Sequence, residues 1–153
     1  VRKVTPQIAR GALIATIYAV VTVLLAPISF GVFQIRVAEA LTLLPILFPE
    51  AIWGLFIGCL VSNIYGGLGP IDIFLGSFTT LVAAWLTYKL RHSSLAYVPP
   101  IVLNGLIVGT YLSFLLKVNI LLSIVSVAAG EAVAVLVLGI PLVRQLRKLK
   151  IHY

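Results

Sequence analysis

The sequence predicts an all-α integral membrane protein: one transmembrane domain over residues 1–153, built as a bundle of six transmembrane helices with the N- and C-termini in the cytoplasm. Three observations predict it. Of the 153 residues, 61% are hydrophobic and only 10% charged, too little polar surface to clothe a water-soluble globule of this size. The apolar residues fall into six runs punctuated by proline, glycine and charge. The basic residues are distributed unevenly between the ends of those runs, as the positive-inside rule expects.

The first run, near 8–27, follows the basic start VRK and has the outline of a signal peptide. Its apolar stretch of about 19 residues exceeds a signal core of 7 to 15, no A-x-A-like site follows, and more apolar runs come after it, so a retained span is predicted. The second run, 37–48, is short: a dozen residues rise about 18 Å as an α-helix, against a hydrocarbon core of about 30 Å. Two spans over 37–66 are favoured over a re-entrant hairpin, which charge bias does not exclude because both leave the later segments pointing the same way. Runs near 50–66, 71–90, 97–116 and 119–143 complete the six. With the N-terminus inside, Arg2, Lys3, Arg10, Lys89, Arg91, Arg144, Arg147, Lys148 and Lys150 are cytoplasmic, and Arg36 and Lys117 alone lie outside.

The net charge of +7 does not point to nucleic acid, because the basic residues lie between apolar runs instead of sharing a polar face. The tail RQLRKLK reads as an ordinary cytoplasmic helix end, with anionic lipid or a partner as the other reading. Cys59 is the sole cysteine, which removes internal disulfides, CxxC pairs and cysteine-based zinc clusters. No GxxxxGK[ST] phosphate cradle and no HExxH occurs, and His92 and His152 fall in cytoplasmic segments. No catalytic residue, metal ligand or cofactor is predicted, and any energy the protein uses would come from partners or a gradient.

Polar groups within apolar spans are costly, so each is expected to face protein or a cavity. Glu131 and Asn104 lie about twelve residues from the outer ends of oppositely running helices, hence at one depth near mid-membrane. Tyr111, two turns beyond Asn104, shares its face. Asn63 ends the third run and Asp72 opens the fourth across the GGLGP turn; Asp72, Gly76, Thr79 and Ala83 then form a small-and-polar stripe. The expectation is a funnel open to the exterior, with Glu39, Asp72 and Asn63 at the rim and Asn104 and Glu131 at the floor. Its acids would favour a cationic or donor-rich ligand. Arg36 and Glu39, at i, i+3, read either as a structural ion pair or, with Gln34, as ligand contacts or a latch on a lid formed by residues 27–36. Structural readings stand beside the others: Glu131 as a protonated carboxyl bonded between helices, Asn104 as interhelical glue, Asp72 as a helix N-cap or first-turn acid, Asn63 as a helix-end group and Tyr111 as part of an aromatic belt.

FQIRVAEALTLLPILFPEA and GLFIGCLVSNIYGGLGPIDIFLGS, residues 33–51 and 54–77, resemble the queuosine-precursor transporter family, QueT, over about residues 11–84, with the rest alike in hydropathy. The resemblance implies a substrate-binding S component of an energy-coupling factor importer in a bacterial plasma membrane. Such a component captures 7-aminomethyl-7-deazaguanine, or a close analogue, and docks on a transmembrane coupling subunit with two ATPase subunits. It also implies that small residues on the first helix, here Gly11, Ala15 and Ala19, meet the coupling subunit; packing inside the bundle is the other reading. Gly54 with Gly58 and Gly105 with Gly109 read as internal packing. Rival functions are an S component for another vitamin, a proton-coupled carrier titrating at Glu131, and a membrane enzyme using its carboxylates.

Overall fold

The computed structural model describes residues 4–31 and 34–151, and every regular element among them is helical. Arg2, Lys3 and His152 lie outside the described residues, as do positions 32 and 33 of the expected lid. Helix α1 (Val4–Leu24) is followed by a short α2 (Ala26–Ser29), a 3-10 helix (Val37–Ile46) and α3 (Ala51–Gly66). A π-helical stretch (Asp72–Gly76) opens α4 (Ser77–Lys89). A 3-10 turn (Ser94–Tyr97), α5 (Val98–Leu103), a π-helical stretch (Asn104–Val108) and α6 (Gly109–Leu116) then run on as one rod. The last rod joins α7 (Ile120–Ala132), a π-helical stretch (Val133–Gly139) and α8 (Ile140–Ile151).

Among the described residues three helices are long and apolar enough to cross a bilayer: Val4–Leu24, Ser94–Leu116 and Ile120–Leu149. The apolar helices Val37–Ile46 and Ala51–Gly66 are shorter. The second run therefore forms no α-helix at all. Its 3-10 winding covers about 20 Å in ten residues where an α-helix would cover about 15 Å, so the short run reaches further than α-helical geometry allows. Residues three apart eclipse in a 3-10 helix, and Arg36, Glu39, Thr42 and Pro45 form one row, all buried.

The surface is sorted as lipid requires. Ile8, Leu13, Ile17 and Val20 on α1, Phe78 and Trp85 on α4, and Leu121 and Val125 on α7 are exposed, while Thr22, Glu39, Asn63, Asp72, Thr80 and Glu131 are buried. Water would favour the reverse; hydrocarbon does not penalise the exposed side chains and strongly penalises the buried ones.

Small residues set the helix contacts. A Cβ on Gly54 would stand 2.5 Å from the carbonyl oxygen of Gly11, and one on Gly58 would stand 2.8 Å from that of Ala15. The α1 stripe thus packs its backbone onto α3, with Gly11, Ala15 and Ala19 left half-buried. Gly105 and Gly109 admit α7 in the same way, at Ala128 and Ile124. Close backbone approach of this kind gives van der Waals contact where lipid tails offer no hydrophobic driving force.

The π-helical stretches fall where the polar residues are: Asp72 opens the first, Asn104 the second, and Glu131 lies two residues before the third. Such wide turns re-aim side chains within a helix. Pro141 supplies a reason for the third, since it has no N–H to give the preceding turn and its ring crowds that turn's carbonyl.

Candidate functional site

Every long segment of the chain sends a polar side chain to one interior region. The turn between α3 and α4 illustrates how. Gly67 and Gly69 adopt φ of +68° and +102°, conformations that glycine reaches without a Cβ clash. The chain reverses tightly, and Asn63 Nδ2 donates to the backbone carbonyl of Asp72 at 2.9 Å. Asp72 is completely buried and caps no helix, though it is an acid in a helical first turn; its Oδ1 accepts from Tyr111 Oη at 2.7 Å. Gly76 closes this corner, because a Cβ there would lie 2.6 Å from Tyr111 Oη and 2.9 Å from Asn63 Nδ2.

A second hydroxyl–carboxylate pair forms on the other side. Tyr18 Oη, from the middle of α1, donates to Glu39 Oε1. Arg36 lies in the same row as Glu39, yet the two make no direct ion pair among the described residues, which corrects the structural pairing that their i, i+3 spacing admitted. The guanidinium turns instead toward α3 and α2: Nη1 lies 3.7 Å from Cys59 Sγ, Nε 3.5 Å from the carbonyl of Ser29, and its carbon 5.2 Å from the Phe30 ring centre. From there it remains within electrostatic reach of Glu39, Asp72 and Glu131. Cys59 also receives Asn63 Nδ2 at 3.6 Å and Thr80 Oγ1 at 3.4 Å. Asn104 faces the Glu131 carboxyl, which in turn senses Glu39.

All eight residues expected to contact a ligand are therefore buried, none more than 7% exposed. Glu39, Asn63 and Asp72 are no more accessible than Asn104 and Glu131, so the expected open rim is corrected to an enclosed cluster. The physical reason is the packing of the 34–46 stretch: Gln34–Arg36 runs across α7 at Gly130, and the 3-10 helix lies along the π-helical stretch below it, with Ala40 against Gly139. The prominent surface hollows, such as the one lined by Phe56, Leu60, Phe74, Leu75 and Phe78, are apolar grooves holding none of Glu39, Asp72 and Glu131. A polar solute would lose hydration there with nothing in return.

The cluster is incompletely satisfied from within. Gln34 Nε2, Arg36 Nη2 and Asn104 Nδ2 are buried donors without a hydrogen-bond partner, and Glu39 Oε2, Asn63 Oδ1, Asp72 Oδ2 and Glu131 Oε2 are oxygens in the same condition. Buried polar atoms are nearly always paired in folded proteins, so seven such atoms on residues of one cluster mark a surface built to meet something polar on several edges. Three carboxyl groups share it with one guanidinium, an excess of acid that complements a cationic or donor-rich partner.

Tyr18 and Cys59 were not expected here. Each lies inside an apolar run and looks like ordinary span composition. The available signal for Tyr18 was its depth: a tyrosine hydroxyl far from either interface needs a partner. No sequence signal marked Cys59. Among the described residues no cluster of three or more histidine, cysteine, aspartate or glutamate side chains could hold a metal ion.

Comparison with curated proteins and with solved structures gives no match. A protein-family model described as QueT transporter matches residues 8–148, nearly the whole chain. That agrees with the resemblance carried by residues 33–51 and 54–77, and with apolar helices that fit a multi-pass membrane protein. The chain belongs to the QueT transporter family.

Proposed function

We propose that this transporter is the substrate-binding S component of an energy-coupling factor importer, taking 7-aminomethyl-7-deazaguanine or a close analogue from outside a bacterial plasma membrane. In this reading the chain passes the membrane six times with both termini inside, and a transmembrane coupling subunit with two ATPase subunits energises uptake. The observation that carries it is the set of seven unpartnered donors and acceptors on the buried cluster. A guanine-like edge presents both donors and acceptors, which carboxylates and amides match in turn, and the aminomethyl cation suits a carboxylate. We assign Glu131 to the base edge or the amine and Glu39 or Asp72 to the other end, with Asn63, Asn104, Gln34, Arg36 and Tyr111 completing the contacts. Gly11, Ala15 and Ala19 keep a half-buried surface on α1 for the coupling subunit even while their backbone packs on α3.

Titration of purified protein with 7-aminomethyl-7-deazaguanine by calorimetry tests the ligand, with guanine and thiamine as comparison solutes. Saturable binding of the deazaguanine is expected; preference for another vitamin would reassign the ligand within the same class. Uptake into cells with and without the coupling module tests the mechanism. Accumulation that persists without the module and collapses with the proton gradient would favour the second reading, a self-contained proton-coupled carrier, for which the proximity of Glu131 and Glu39 is the relevant observation.

A further inference from the structure

Gly130 lies immediately before Glu131 on α7, and the contact it makes is the closest of any glycine in the described chain. A Cβ at Gly130 would stand 2.0 Å from the carbonyl oxygen of Gln34, 3.0 Å from its carbonyl carbon and 3.4 Å from the Cα of Ile35. These are backbone atoms, which no side-chain rotation moves aside. Among the described residues the Gln34–Arg36 stretch is tied elsewhere by two backbone bonds, Ile35 N–H to the carbonyl of Ile28 at 3.0 Å and Glu39 N–H to the carbonyl of Arg36 at 2.9 Å. Its side chains alternate: Ile35 is exposed over the groove lined by Ser126, Ala129 and Gly130, while Gln34 and Arg36 are buried. The unpartnered Nε2 of Gln34 and Nη2 of Arg36 thus reach the cluster because the backbone between them touches the helix.

We propose that Gly130 is a positioning residue for substrate capture: its missing side chain is what lets Gln34–Arg36 seat against α7 and cover the carboxylate of Glu131. This rests on the binding site proposed above and adds to it the point of contact on which the cover depends. Any side chain at 130 displaces the stretch by the clash it creates, withdraws two donors from the ligand, and uncovers Cys59, whose sulfur lies beside Arg36.

Cys59 is the only cysteine and is fully buried, so it reports on the cover without any ligand. In Gly130→Ala, labelling of Cys59 by a small charged methanethiosulfonate is expected to accelerate by about tenfold or more, and release of bound 7-aminomethyl-7-deazaguanine to accelerate by a similar factor with association little changed, since affinity differences among related complexes reside mainly in dissociation. Gly109→Ala serves as control, because its Cβ would also meet backbone, 2.6 Å from the Cα of Ile124 on α7, but away from Gln34–Arg36; its Cys59 is expected to stay shielded. Native labelling and release rates in Gly130→Ala would overturn the proposal. Should Gly130→Ala not be recovered folded, a disulfide between Ile35→Cys and Ala129→Cys in a Cys59→Ser background decides: ligand bound before oxidation should be retained until reduction, and free exchange in the oxidised protein would refute the seat. If labelling rises while native protein binds no deazaguanine, the seat stands and the ligand assignment falls.

Discussion

The four acidic residues of this chain live in two environments. Glu50, at the start of α3, faces Arg10 of α1 with Oε1 3.2 Å from Nε, a charge contact at the edge of the bundle where the arginine is 45% exposed and also lies over the Phe48 ring. Glu39, Asp72 and Glu131 are deep inside, and none has a cation within ion-pair distance among the described residues. Glu39 and Asp72 accept from neutral hydroxyls, those of Tyr18 and Tyr111, Glu131 has the neutral amide of Asn104 beside it, and each keeps one buried oxygen unengaged. What sets Glu50 apart is a cation at its side, although its Oε1 makes no hydrogen bond. Three acids held by neutral groups at mid-bundle are costly to the fold and make sense as a surface completed by a solute.

The comparison breaks most readily at Glu131. Replacing it with glutamine keeps shape and removes charge, and should weaken binding of 7-aminomethyl-7-deazaguanine by about 10- to 150-fold, the equivalent of roughly 1.5–3 kcal/mol for a hydrogen bond to a charged group. Unchanged affinity in calorimetry would place Glu131 beside Glu50 as a structural acid. Next in size is Gly76→Ala, whose Cβ would crowd Tyr111 Oη and Asn63 Nδ2. Overpacking of this kind costs about 1–3 kcal/mol, so about a tenfold loss of affinity is expected, with a lower thermal midpoint in the same sample. Tyr111→Phe removes a single hydroxyl that orients Asp72 and should weaken binding by about fivefold, near 1 kcal/mol; an equal loss in an Asp72→Asn background would show that the hydroxyl does not act through that carboxylate. The smallest effect belongs to Glu50→Gln. Its partner is half exposed, so the pair contributes no more than about 1 kcal/mol, and affinity should be unchanged while the thermal midpoint shifts slightly. A large loss of binding from Glu50→Gln would erase the distinction between the two environments.

Much of this arrangement could be read in the residues. Glu131 and Asn104 fall at one depth by counting from helix ends, and the structure sets them face to face. The stripe Asp72, Gly76, Thr79 and Ala83 is buried throughout, because period 3.6 survives a single wide turn. That Gly54 and Gly58 pack inside the bundle follows from their spacing, since only small residues admit a second backbone so closely, although the spacing did not say that the helix they admit is α1. The reading failed where the winding itself changed. Spacing of i, i+3 implied an ion pair for Arg36 and Glu39, but the guanidinium reaches Cys59 and Ser29 from a chain that is extended at residue 36 and 3-10 beyond it. The open rim failed because nothing local says that Gln34 will lie on Gly130, nearly a hundred residues away.

What the sequence determined by itself was partition: which stretches belong in hydrocarbon, which few polar groups are sunk among them, and where glycine allows helices to touch. Those follow from transfer free energies and side-chain size, which are properties of each residue and its near neighbours. Only the tertiary structure decided that Tyr18 holds Glu39, that Tyr111 holds Asp72, and that seven donor and acceptor atoms on these buried residues are left without partners. Hydrogen bonds act over about 3 Å and depend on angle, so they are fixed by how distant segments cross, and a linear pattern carries no record of that crossing.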